Sequence, residues 1–195
     1  MEARNDAQLV ADYLNGDDEP LRLLIERYLD PIYRFACTYV KSEQEAEDVT
    51  QEVFVRAWRN LKKFDQEKSF KTWVFAIAKH ASIDALKKKK ALNFSAFEDE
   101  DGDNALLEML TDSALLPDEI VEKKSIADML TAATALLSPA YQRVISLRYQ
   151  DDLTFANISE ALHEPLHTVK SRHRRAIALL KKIVGGANLF RGLKD

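Results

Sequence analysis

Five side chains suited to holding an anion or a base edge fall within six positions near the carboxyl-terminal end: Lys170, Ser171, Arg172, Arg174 and Arg175. A lysine ammonium meets a phosphate as a point charge, whereas an arginine fork presents two parallel donors to a phosphate or to the edge of a guanine. Among them Val169, His173, Ala176, Leu180 and Ile183 recur at helical spacing and mark one face for burial, leaving Lys170, Ser171, Arg174 and Arg175 on other sides. Charge alone fits a solvated face as well as a binding one. The preceding residues tip the balance. Thr154 to Leu162 is a short helix-compatible stretch, His163-Glu164-Pro165 a tight break, and His167 to Lys182 a second helical run. Ser159 is small where two helices would cross, and Ile158 and Leu162 form an i, i+4 pair on the inner side. This is the outline of a helix-turn-helix, with cations in the half that such a motif pushes into a major groove.

Other candidate groups lie in the first half of the chain. Ser42 and Glu45 have capping-box spacing, which starts a helix at Glu43. Along it Ala46, Val49, Val53 and Ala57 make one narrow apolar stripe, while Gln51, Phe54, Val55 and Trp58 lie on another side. Either the helix is buried twice, or the second side docks a partner. A polar, basic loop, Asn60 to Ser69, carries Lys62, Lys63, Lys68 and Phe64; a helix from Phe70 to Lys90 follows, ending in four lysines. Those lysines complement a helix dipole without any ligand. Equally, Phe64, Phe70, Trp73 and His80 beside the cations would suit a single strand, since aromatic rings stack on any base. Histidine–carboxylate or cysteine–histidine constellations, metal-ligand spacings and glycine-rich phosphate loops are all missing from the sequence, so neither an enzyme nor a metal or cofactor protein is expected.

These groups need helices to position them, and the pattern predicts an all-α chain. Further helices are expected over Asp6 to Asn15, over Pro20 to Val40 with a bend possible at Asp30-Pro31, over Glu119 to Leu137, and over Pro139 to Gln150. The 195 residues, 46% of them hydrophobic, suffice for two small cores. The net charge of −4 hides a segregation: residues 1–91 are neutral, 92–122 carry −10 and 123–195 carry +6. A nucleic-acid surface depends on such local patches rather than on the average. The expected organisation is a helical domain over 1–91, an acidic linker over 92–122, a helix-turn-helix domain over 123–184 and a loose tail over 185–195. No run approaches the roughly 18 apolar residues of a membrane span, and the start lacks a signal-peptide layout, so a cytoplasmic protein is expected. Cys37, the single cysteine, lies in the apolar stretch Ile32 to Val40 and is expected to be buried.

With both halves laid out, the chain resembles the extracytoplasmic-function group of the sigma-70 family, the dissociable initiation subunits of bacterial RNA polymerase. Ala46 to Trp58 is similar to the family's polymerase-binding motif, and Phe70-Lys71-Thr72-Trp73 through Ile77-Ala78-Lys79 to Asp84 to its promoter-melting helix. Leu137-Ser138-Pro139, Val144, Leu147-Arg148-Tyr149 and Thr168-Val169-Lys170-Ser171-Arg172 match its carboxyl-terminal domain. The resemblance implies two small helical domains and no activity of their own. It implies core polymerase and promoter DNA as partners, and an anti-sigma factor as an inhibitor. Asp48, Gln51, Glu52, Phe54 and Trp58 would contact the clamp helices of the polymerase's largest subunit. Lys62, Lys63, Phe64, Phe70, Trp73, Lys79 and His80 would hold and open the minus-ten element. Thr168, Lys170, Ser171, Arg172, Arg174 and Arg175 would meet the minus-thirty-five duplex. Three residues depart from the pattern: His163 stands where the turn usually has glycine, His173 where an apolar residue is usual, and His80 where asparagine is common.

Overall fold

The computed structural model describes residues 4–40, 42–92 and 126–186, and among them every regular element is helical. The helices are α1 (Asp6–Leu14), α2 (Glu19–Cys37), α3 (Glu43–Asn60), a 3-10 turn (Leu61–Lys63), α4 (Phe70–Leu92), α5 (Ile126–Ala135), α6 (Pro139–Tyr149), α7 (Phe155–Leu162) and α8 (Leu166–Gly186). The acidic linker, the start expected at Glu119 and the carboxyl-terminal tail beyond residue 186 lie outside the described residues. The chain divides into two compact units, Met1–Ala96 with Leu147–Leu166, and Phe97–Ser146 with His167–Asp195.

In the first unit α1 begins with a reciprocal capping box: the Asn5 side chain accepts from the Gln8 N–H, and the Gln8 side chain accepts from the Asn5 N–H. Asp6 then ties α1 to α2 by accepting from the Tyr28 hydroxyl and the Arg27 guanidinium. Helix α2 continues as helix through Pro31, and α3 and α4 pack on it. Leu24, Tyr28, Ile32 and Phe35 from α2, Val53 from α3 and Val74 and Phe75 from α4 are almost wholly buried. Each such side chain contributes about 1.5–3 kcal/mol by leaving water, before the entropy of ordering it is counted. Phe35 and Phe75 meet edge to face with centroids 5.4 Å apart. Ser42 starts α3 as expected, accepting from the Glu45 N–H at 3.4 Å.

The same unit takes in residues 147–166. After α6 the chain turns through Asp152, a left-handed residue with φ +54°, and the Arg148 guanidinium donates to the Leu153 carbonyl at 3.0 Å. Thr154 caps α7 by accepting from the Asn157 N–H, and α7 packs along α4. Helix α7 ends at His163, which holds φ +45° and ψ +45°. That is the left-handed cap that usually selects glycine, and histidine tolerates it better than branched residues do.

In the second unit α5, α6 and α8 share a core of Met129, Ala133, Leu137, Tyr141, Ile145, Ala176, Leu179 and Ile183. The Gln142 amide donates to the Ala135 and Leu137 carbonyls, satisfying the end of α5. Two expectations are corrected. Of the two adjacent leucines on α8, Leu179 is the buried one and Leu180 only partly joins the cluster, because the inward stripe steps three residues from Ala176 to Leu179 and then four to Ile183. Cys37 is exposed, since it is the last residue of α2 and the buried sides of that turn belong to Phe35 and Ala36.

Candidate polymerase and nucleic-acid interfaces

Helix α3 turns its narrow stripe inward, with Ala46, Val49, Val53 and Ala57 buried. Asp48, Gln51, Glu52 and Val55 stand exposed on other sides, Val55 at 41%. Phe54 and Trp58 are half-buried, and the Trp58 ring lies 5.5 Å from that of Tyr13 on α1. This second side is therefore not a second core. It is an outward surface of carboxylates, an amide and partly sheltered rings. Arg56 organises its edge, donating to Glu52 at 2.7 Å and across to Asp84 on α4 at 2.7 Å. Lys89 on α4 reaches Glu45 at 2.7 Å, so two ion pairs tie α3 to the carboxyl-terminal part of α4.

The residues expected to handle a single strand separate into two kinds. Lys62 and Lys63 are exposed on the 3-10 turn, and Trp73 is half-buried near the start of α4. Phe64 and Phe70 are 8% and 6% exposed, and so are not stacking platforms. They sit behind Trp73, with ring centroids 4.9 Å and 5.6 Å from it, and Tyr28 closes the cluster against Phe70 at 5.4 Å. An aromatic-rich loop exposes few of its rings when they can cover one another, and sequence offers no means of choosing which ring stays outside.

Lys79 and His80 lie further along α4, facing residues 147–166. The Lys79 ammonium donates to the Leu162 carbonyl, and the exposed His80 ring stacks on that of His163 at 4.9 Å and 20°. Partial burial first, then the neighbouring His163 and Lys79, push the His80 imidazole below its usual pKa. Lys71 donates to the Asp151 carbonyl at 2.9 Å. Asp151 itself is only 5% exposed, with the Arg34 guanidinium 3.7 Å from its carboxylate. Burial dominates there and raises its pKa to about 6, against the opposite pull of Arg34 and Lys71. The sequence marks Asp151-Asp152 only as a helix break, and nothing local distinguishes a buried aspartate from a solvated one.

On α8 Lys170, Arg174 and Arg175 are exposed, Thr168, Ser171, Arg172 and His173 are half-buried, and Val169 and Ala176 are buried. The exposed cations thus share the outer sides of the helix, as the periodicity predicts. The turn before it is held by the Ser159 hydroxyl donating to the Glu164 carbonyl at 2.5 Å and by the Glu164 N–H donating to the Ser159 carbonyl at 3.0 Å.

Residues 24–92 match the family description Sigma-70 region 2, and residues 127–180 match Sigma-70, region 4. The extracytoplasmic-function (ECF) RNA polymerase sigma factor SigW of Bacillus subtilis is 31% identical over 170 residues, covering 86% of this chain and 91% of SigW. The ECF RNA polymerase sigma-E factor of Escherichia coli K12 is 27% identical over 181 residues, covering 90% and 92%. Among solved structures the fold is similar to that of the sigma factor RpoE in complex with the anti-sigma factor NepR from Bartonella quintana. The TM-score is 0.61 at 18% identity, over 85% of this chain and 96% of that one. It is also similar to CnrH in complex with the cytosolic domain of CnrY, with TM-score 0.60 at 22% identity, over 92% and 97%.

Proposed function

The chain belongs to the extracytoplasmic-function group of the sigma-70 family and is an RNA polymerase sigma factor, and from that premise we propose how its residues divide the work. Residues 1–91 dock on core polymerase and open the minus-ten element, residues 123–184 read the minus-thirty-five element, and residues 92–122 join the two.

Docking falls to Asp48, Gln51 and Glu52, with Phe54 and Trp58 adding apolar area at the same face. The observation that carries this reading is that α3 presents an outward carboxylate and aromatic side while its other stripe is buried. Strand capture falls to Trp73, with Phe64 and Phe70 fixing its ring from behind and Lys62, Lys63, Lys79 and His80 meeting the backbone and bases. Unstacking one step costs a few kcal/mol, and stacking a base on a ring returns about 1–3 kcal/mol, so one ring with several cations is the right order of provision. Lys170, Ser171, Arg174 and Arg175 read base edges in the major groove, while Thr168 and Arg172 hold phosphates.

The protein lends recognition to the polymerase and performs no chemistry itself. It works in the cytoplasm, where the polymerase is. No helix among the described residues is long and apolar enough to cross a membrane. An anti-sigma protein completes the list of partners, a reading supported by the complexes in which two fold neighbours are held.

Run-off transcription from a randomised promoter pool, with bacterial core polymerase and with or without this protein, tests the whole scheme. Transcripts that need the protein and start downstream of a shared pair of elements are the expected result. Tight duplex binding by the protein alone, without transcripts, would instead make it a repressor.

A further inference from the structure

A polar cavity of about 340 Å³ lies in the first unit, walled by the start of α1, one side of α2, the start of α4 and the turn after α6. Its charged lining is Asp6, Arg27, Arg34, Lys71 and Asp151. The donors and acceptors of that lining do not balance. Both Asp6 oxygens are taken, one by the Arg27 guanidinium and one by the Tyr28 hydroxyl. Arg27 gives a further donor to the Arg4 carbonyl at 2.9 Å and still has N–H groups to spare. Lys71 gives one of its three donors to the Asp151 carbonyl at 2.9 Å. Arg34 gives none among the described residues, because its ion pair with Asp151 spans 3.7 Å, beyond hydrogen-bond range. The Asn5 side-chain oxygen accepts from the Gln8 N–H, which leaves its NH2 group as one more donor at the wall. Donors are therefore in excess, and three cations meet two carboxylates. Such a lining calls for a ligand that only accepts hydrogen bonds and carries negative charge, and an oxyanion does both.

We propose that this cavity is a binding site for a small phosphate monoester, its phosphate held by the Arg34 fork and the Lys71 ammonium, with Arg27 and Asn5 as further donors. An arginine fork meets two phosphate oxygens at once, and a lysine beside it adds a point charge. Phosphate fits better than carboxylate, because Arg34 and Lys71 both lack a full partner and a dianion matches the two together. Volume separates a small molecule from a nucleic-acid strand. Sites for small ligands run from about 300 to 1,000 Å³, and 340 Å³ suits a phosphate with a short body rather than a passing polymer. Asp151 links the site to protons. Its carboxylate faces Arg34 from α2, Lys71 from α4, Asp152 from its own turn and the Tyr28 hydroxyl, and burial has raised its pKa to about 6. An incoming dianion raises it further, so Asp151 takes up a proton as the ligand binds near neutral pH. That proton removes the carboxylate charge that opposes the ligand. The site does not rest on the transcription reading, since neither Arg34 nor Lys71 has a part in docking or promoter readout above.

Isothermal titration calorimetry on the full-length chain at constant ionic strength tests the site, with inorganic phosphate and glycerol 3-phosphate as probes. Saturable one-to-one binding of both is expected. Arg34→Gln and Lys71→Gln, each shown by circular dichroism to be folded, should weaken it about 10- to 100-fold, since each removes a charge-assisted hydrogen bond. Lys62→Gln removes an exposed cation from the 3-10 turn instead and should bind as wild type does. No saturable binding, unchanged affinity in Arg34→Gln and Lys71→Gln, or equal weakening in all three variants overturns the site. Sulfate, a dianion that does not titrate near neutral pH, then reports the proton. Titrated in two buffers of different ionisation enthalpy, wild type should take up a proton that Asp151→Asn does not; equal uptake in the two proteins overturns the part given to Asp151. Last, a single-stranded oligonucleotide without a terminal phosphate should leave bound glycerol 3-phosphate in place. Its displacement would make the cavity part of a strand path and overturn the choice of a small ligand.

Discussion

Arg174 and Arg175 are exposed on the amino-terminal half of α8, and their forks suit guanine edges. Arg174→Ala or Arg175→Ala should cost about 1–3 kcal/mol of minus-thirty-five discrimination and leave assembly with core polymerase unchanged, read by promoter competition and by gel filtration. Equal losses in both assays would remove the division of labour between the two halves. Trp73 and Phe70 make a second residue-level contrast. Phe70→Ala empties a buried aromatic site and should lower stability by about 3–5 kcal/mol. Trp73→Ala, at a half-buried position, should lower it less while weakening single-strand binding of the folded protein. Thermal melts beside anisotropy separate the two, and a Phe70→Ala protein as stable as wild type would return that ring to the surface. The sequence makes caps legible, because Ser42, Thr154 and His163 act through their own backbones and near neighbours. It does not make legible which of Phe64, Phe70 and Trp73 faces out, since that depends on Tyr28, about forty residues away in the chain.

At the scale of the element, α3 separates two kinds of apolar residue by their angle around one axis, and periodicity alone reveals that separation. What periodicity leaves open is whether the second side meets protein or solvent. Tyr13 from α1 shelters only the Trp58 end of it. Gln51 is the cleaner probe of docking, being exposed and without a share in the core. Gln51→Ala should leave the melting temperature within about 2 °C, as surface substitutions do, and weaken core-polymerase binding measured by surface plasmon resonance. Phe54→Ala should do both harms, because its ring is half-buried. The buried face of α8 shows the limit of periodicity from the other side. Leu179 and Leu180 both fit an apolar stripe, and the choice between them is made by the position of α5 and α6.

Across the molecule as a whole, the grouping of residues 147–166 with α2 and α4 is the feature least legible in sequence, since it joins positions about eighty residues apart through lysine-to-carbonyl bonds that have no compositional mark. It also gives the molecule two titratable groups of opposite sign at one contact. His80 faces Lys79 and Asp84 from its own helix, Arg56 from α3 and His163 from α7, and its pKa is lowered there. The contact therefore favours neutral His80, and that contribution is lost as pH falls through the ordinary histidine range near 6.5. Asp151 faces Arg34, Lys71 and Asp152, and burial raises its pKa from 3.8 to about 6. A buried acid raised in this way opposes the contact when ionised, and the opposition fades as pH falls through about 6. In wild type the two effects run in opposite directions as pH falls below about 6. Asp151→Asn removes one of them. At about pH 7.5 that variant should be more stable than wild type by roughly 1–2 kcal/mol, shrinking toward zero near pH 4. Below about pH 6 the stability of Asp151→Asn should fall more steeply with falling pH than that of wild type, because only the His80 contribution remains. Thermal melts of both proteins from about pH 7.5 down to about pH 4 decide the matter. A wild-type response as steep as that of Asp151→Asn would mean that burial does not change how Asp151 titrates.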